Sequence, residues 1–156
     1  MRPACLWLLL CVLLLPLSLH AQSARPQLAP VAETRLLMDG LALPNFEGMD
    51  RLLRQKPKDA EDWAFLRGQA LLIAETGNLL MIRPPRNTGE PAWQTHAGEL
   101  RAAADRMARA AASRDYEQSK LRLAELAATC NRCHQTFRVP VRMPPKEEPK
   151  RVEISY

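Results

Sequence analysis

Cys130, Cys133 and His134 fall within five residues, in the run Cys130-Asn131-Arg132-Cys133-His134. On a helix, positions three apart share a face, so both thiols would point the same way with the imidazole beside them. Thiols so placed can add to the vinyl groups along one edge of a porphyrin, and the neighbouring imidazole can then swing under its iron. The spacing reads as a covalent attachment site for haem c, one per chain, with His134 as an iron ligand. A vicinal thiol pair also suits thiol redox chemistry or half of a zinc site. The first wants a βαβ context and the second two more ligands, and neither accompanies this pair.

The compartment implied by the N-terminus agrees. Arg2 precedes an apolar run from Ala4 to Leu19, broken by Pro16 and Ser18 and followed by His20-Ala21-Gln22. This is the pattern of a secretory signal peptide over residues 1–21, cleaved after Ala21. The rival, a retained transmembrane anchor, needs about 20 apolar residues, and the unbroken stretch is shorter. Cys11 lacks the small residue before it that a lipoprotein signal would place there. Cys5 and Cys11 leave with the signal, so two of the four cysteines remain, both in the motif. An exported protein with one vicinal thiol pair and no other cysteine fits haem attachment in an oxidising compartment such as the periplasm. Losing Arg2 takes Lys+Arg from 22 to 21 against 17 Asp+Glu, a net charge of +4. That mild bias argues against a nucleic-acid partner. The 135 residues left of 156 suit one domain.

Helices must position the motif. After a leader over residues 22–30, an amphipathic stretch from Val31 to Leu43 carries Val31, Met38 and Leu41 on one side. Pro44-Asn45 should kink or split this helix, and Phe46, Met49, Leu52 and Leu53 resume the pattern before Lys56-Pro57 ends it. Asp59 is placed to cap a second helix over 60–81, with Trp63, Leu66, Ala70, Ile73, Gly77 and Leu80 inward. Gly77 costs a helix interior about 1 kcal/mol relative to alanine, which suggests a close helix contact or a flat surface against it. A Pro-rich loop over 83–91 leads to a third helix over 91–112, with Trp93, Ala97, Leu100, Ala104, Met107 and Ala111 on its seam. Ser113-Arg114 reverses the chain. Asp115 then caps a fourth helix bearing Leu123, Leu126, Ala127, the motif and Phe137. Strand signals are absent, so the expected fold is all-α, an antiparallel four-helix bundle with the motif on its C-terminal helix. Residues 140–156, rich in Pro, Lys and Arg, read as an extended basic tail. Such a tail is either a solvated terminus or a docking strip for an acidic partner or an anionic membrane surface.

With these features the chain resembles the cytochrome c′ class of four-helix haem proteins, over residues 31–139. The motif lies on the last helix and is followed by Phe137-Arg138; Lys56-Pro57 separates the first two helices, and Pro91-Ala92-Trp93 opens the third. The resemblance implies a methionine on the first helix as sixth iron ligand in the low-spin branch, a position that Met38 matches. In the gas-binding branch a bulky apolar side chain takes that place and leaves an open site. It also implies homodimers in many members, through the first two helices. Met49, beyond Pro44 where the chain should be leaving the haem face, is a lesser candidate for the sixth ligand; Met81 and Met107 read as core, and His96, one residue off the seam, as a surface histidine rather than a second axial histidine. Phe137 is expected against the porphyrin, and Arg138, four residues past His134, either at the haem edge near a propionate or solvated. Trp63 and Trp93 are expected as core anchors.

Met38 ligation would make the protein a one-electron carrier between redox partner proteins, without enzymatic turnover. An open site would make it a binder of nitric oxide or carbon monoxide. Peroxidase-like chemistry would need a second histidine as distal acid or base.

Overall fold

The structure, a computed structural model, describes residues 27–85 and 89–144. The signal peptide, the first part of the leader and the tail beyond Pro144 lie outside the described residues. The described chain is all-helical, in a four-helix arrangement without strands. The first bundle helix is continuous and built from α1 (Thr34–Leu37), a π turn (Met38–Ala42) and α2 (Leu43–Leu52). The other three are α3 (Ala60–Met81), α4 (Glu90–Ala112) and α5 (Tyr116–Thr136). No helix among the described residues is long and apolar enough to cross a membrane.

Pro44 does not break the first helix. A proline inside a helix lacks the N–H that would bond four residues back, and its ring clashes with the carbonyl there. The chain widens into a π turn just ahead of it, closed by Leu43 N–H donating to the Met38 carbonyl five residues back. Asn45 Nδ2 donates to the Leu41 carbonyl at 2.6 Å. In a regular α-helix residues four apart drift by about 40°; the wider turn takes up that drift, and Thr34, Met38, Ala42 and Phe46 all face one cavity. The helix begins at Thr34, later than its apolar pattern implied, and Val31 is 97% exposed.

The expected caps hold the other ends. Asp59 accepts from the N–H groups of Glu61 and Asp62, and Asp115 from that of Gln118 at 3.0 Å. Trp93 Nε1 and Gln94 Nε2 donate to the Leu80 and Met81 carbonyls at 2.7 and 2.8 Å. The start of α4 thereby satisfies carbonyls that the end of α3 leaves open. At the other end of the hairpin, Arg114 takes a left-handed conformation (φ 55°), and the N–H groups of Arg114 and Asp115 return to the carbonyls of Ala111 and Ala110. This is a Schellman reversal made without glycine.

The seams expected for α3 and α4 face inward: Leu66, Ala70, Ile73 and Leu80 of α3 and Ala97, Leu100, Ala104, Met107 and Ala111 of α4 are buried. Gly77 explains its own presence. A Cβ there would sit 2.8 Å from the Ala97 carbonyl oxygen and 2.9 Å from the Arg101 nitrogen, so α3 and α4 cross too closely for a side chain. The core is closed around Met49, Leu53, Met107 and Leu126. Toward the C-terminal end of α5 the inward residues become half-buried, and there the bundle holds a cavity.

Candidate haem site

The cavity encloses about 580 Å³, within the range of cofactor pockets, and its walls are overwhelmingly apolar. The first helix supplies Met38, Ala42, Leu43 and Phe46, with Thr34, Arg35 and Asp39 alongside. Ile73 and Leu80 come from α3, and Trp93, His96 and Leu100 from α4. The C-terminal end of α5 contributes Thr129, Cys130, Cys133 and His134, and Phe137 follows as its C-cap. Val139, Pro140, Val141 and Met143 complete the lining. Cys130, Cys133, His134, Phe137 and Met38, separated by up to 99 residues (137 − 38), thus share one cavity.

Both cysteines are free thiols in the described chain. Burial pushes the Cys130 thiol up to about 12, with Cys133 beside it adding to the effect, and burial likewise raises Cys133. Burial of this kind disfavours the thiolate, the form on which thiol redox chemistry depends. Among the described residues no cluster of three or more His, Cys, Asp or Glu could hold a metal ion, so the half-zinc alternative finds no second half there.

His134 is oriented by the chain that follows it. Its Nδ1 lies 2.8 Å from the Val141 carbonyl, which can only accept, so Nδ1 carries the proton and Nε2 keeps its lone pair. A backbone carbonyl on the far nitrogen is the partner that fixes tautomer and ring orientation in metal-binding histidines. An apolar slot, two thiols on its wall and an imidazole with a defined free nitrogen together fit a covalently attached haem.

Phe137, expected against the porphyrin, lines the cavity. It packs edge-on against Trp93 with centroids 5.1 Å apart. Trp93, expected only as a core anchor, is therefore a wall residue as well. Arg138 is exposed and is not among the lining residues. The helix ends at Thr136, and Arg138 sits in the left-handed position of a Schellman motif (φ 55°), so four-residue helical spacing from His134 does not reach it.

His96 departs from its expected surface position: its side chain is 15% exposed and lines the cavity. Its Nε2 lies 3.0 Å from Thr136 Oγ1, whose own proton goes to the Arg132 carbonyl, so His96 is the donor. Its Nδ1 is buried without a hydrogen-bond partner, although Glu99 Oε2 approaches to 3.4 Å in poor alignment. The one-residue offset from the seam concealed this role, because the α4 seam is wider than a strict stripe.

Met49 and Met107 are fully buried in the closed core, and neither they nor Met81 line the cavity. Met143, which helical periodicity did not single out, does line it and is 6% exposed. Residues 139–143 fold back over α5, the last four of them being the start of the expected tail over 140–156. Asn131 Nδ2 donates to the Met143 carbonyl at 3.0 Å, and Met143 N–H donates to Asn131 Oδ1 at 2.8 Å.

No curated protein matches the chain. Residues 88–138 match the family model described as Cytochrome C', a segment that takes in α4, α5 and the motif. That family implies a covalently bound haem c, and its members are typically exported. Over this helical hairpin the chain is similar to the cytochrome c′ family, and an all-helical bundle whose motif opens into an apolar cavity is consistent with that likeness.

Proposed function

We propose that the protein is an exported one-haem cytochrome that carries single electrons between redox partner proteins. In this reading Cys130 and Cys133 hold the haem through thioethers, and His134 Nε2 and the Met38 sulfur ligate its iron. The observation that carries it is that Met38, on the first helix, lines the same cavity as Cys130, Cys133 and His134 on the last. When bound, the haem supplies the one-electron couple of its iron. The chain's own residues do the rest. Val141 keeps the His134 proton on Nδ1, the apolar walls exclude water from the cofactor, and the thioether of Met38 favours the reduced state. The π turn supports Met38 in this role, because it begins at that residue and such turns gather at functional sites. Export follows from the signal-like residues 1–21, and the basic residues beyond 144 supply a contact for an acidic partner or an anionic membrane surface.

A second reading has its own support. Phe46, 3% exposed, and Leu43 stand on the same wall as Met38 and offer bulky apolar groups. If one of these covers the iron and Met38 packs beside it, the sixth position is open to nitric oxide or carbon monoxide. The ferrous absorption spectrum separates the two. Methionine ligation requires a sharp low-spin spectrum that carbon monoxide leaves unchanged, and Met38→Ala should convert it to a high-spin spectrum that responds to the gas. A high-spin parent would rule out the carrier reading, and a low-spin Met38→Ala would move ligation to another residue.

A further inference from the structure

We propose that Asn131, the first of the two residues between the motif cysteines, is the positioning residue for the iron-binding histidine, acting through the strap formed by residues 139–143. The inference rests on the haem reading above.

The strap is anchored at both ends, and His134 is held between the anchors. At its start the Val139 N–H donates to the His134 carbonyl at 2.8 Å and the Arg138 N–H to that of Gln135 at 3.3 Å, closing α5 in a Schellman motif. Pro140 follows and stiffens the turn. At the far end Asn131 takes both backbone groups of one residue, donating to the Met143 carbonyl and accepting from its N–H. A carboxamide paired this way fixes its partner in both position and orientation, which a single hydrogen bond does not. Between these anchors the Val141 carbonyl meets His134 Nδ1 at 2.8 Å.

The geometry explains why the device works from position 131. Asn131 lies three residues before His134, so the two side chains are neighbours on the surface of α5. A strap running back along that surface reaches the imidazole first and the carboxamide second. Val141 contributes only its carbonyl to the histidine, and that carbonyl is located by the residue two positions on. Met143 is buried at the end of the strap, while Val139 and Val141 stay exposed, so little besides the Asn131 pair and Met143 burial holds the strap there.

A carbonyl on Nδ1 raises the electron donation of Nε2 and stabilises the oxidised iron. Loosening the strap exchanges that carbonyl for water and weakens the donation. The expected result for Asn131→Ala in the full-length holoprotein is a tenfold shift of the oxidation equilibrium toward the reduced form, which for one electron is a potential higher by about 59 mV. Amide exchange at Met143 should accelerate at least tenfold in the same variant. Asn131→Ser stays neutral and keeps one hydrogen-bonding group toward Met143; it should give a smaller change in both readouts, and it carries the test if Asn131→Ala fails to fold.

A merely structural role would free the Met143 amide and leave the potential unchanged, and that outcome overturns the inference. An unchanged Met143 amide overturns it too, since the strap would then not depend on Asn131. Intact mass keeps the two layers apart. A parent chain without covalent haem sinks the haem reading, whereas a haem-bearing variant with unaltered potential sinks this inference alone.

Discussion

Two glycines of α3 provide a test in which the same substitution should act with opposite sign. Gly68 has open space where a Cβ would project, with no heavy atom within 4 Å. There Gly68→Ala should stabilise by about 1 kcal/mol, the helix-interior advantage of alanine over glycine. Gly77 has the α4 backbone in that place, with the Ala97 carbonyl oxygen at 2.8 Å and the Arg101 nitrogen at 2.9 Å. Backbone cannot turn away as a side chain can, so the helices must part. Overpacking of this kind costs about 1–3 kcal/mol, and the propensity gain offsets only part of it. Gly77→Ala should therefore destabilise by up to about 2 kcal/mol, leaving the two variants about 1–3 kcal/mol apart. Urea denaturation of the holoprotein, followed by helical circular dichroism, reads both values. The second consequence is at the site: Ile73 and Leu80 flank Gly77 and line the cavity, as do His96 and Leu100 across the crossing. Parting the helices should shift the visible absorption of Gly77→Ala and leave that of Gly68→Ala unaltered. If Gly77→Ala stabilises as much as Gly68→Ala, the close crossing inferred here is wrong.

Other perturbations probe the caps and the cavity. Asp59→Ala removes the acceptor for two backbone N–H groups and should cost about 1 kcal/mol; thermal unfolding measures it, and an unchanged midpoint would refute the cap. Arg138→Gly should stabilise by roughly 0.5–1 kcal/mol, because glycine takes a left-handed position without the Cβ strain that arginine bears. A loss of stability would mean that the arginine side chain makes a contact outweighing that strain. The chain expressed without haem maturation should lack a cooperative unfolding transition. At roughly 24 cal/mol per Å³, a 580 Å³ cavity corresponds to an upper limit of about 14 kcal/mol, comparable with the whole stability of a small domain. A haem-free chain with sharp, cooperative unfolding would contradict this.

Much of the molecule was legible from neighbours in the chain. Helix seams repeat every three or four residues, so Leu66, Ala70 and Ile73 or Ala97, Leu100 and Ala104 announce their own burial. Caps are equally local, since Asp59 and Asp115 bond N–H groups two or three residues away. The thiol spacing and the adjacent histidine likewise belong to a single turn or two of helix.

Contacts across long stretches of chain were not legible in this way. Pro44 signalled an interruption, yet the helix absorbed it as a π turn, in which Leu43 N–H reaches the Met38 carbonyl five residues back just ahead of a ring that cannot donate. His96 lies off its strict stripe and still lines the cavity, because the neighbouring helices set how wide the inward face of α4 becomes. Arg138 shares helical spacing with His134, but α5 has already ended before it. The return of residues 139–143 to His134 left no periodic trace, because its bonds run between a side chain and backbone groups, which every residue carries alike. Short-range chemistry thus marks where a cofactor would be attached. The surroundings of the attached group come from helix crossings and from a strap whose carbonyl no residue type encodes.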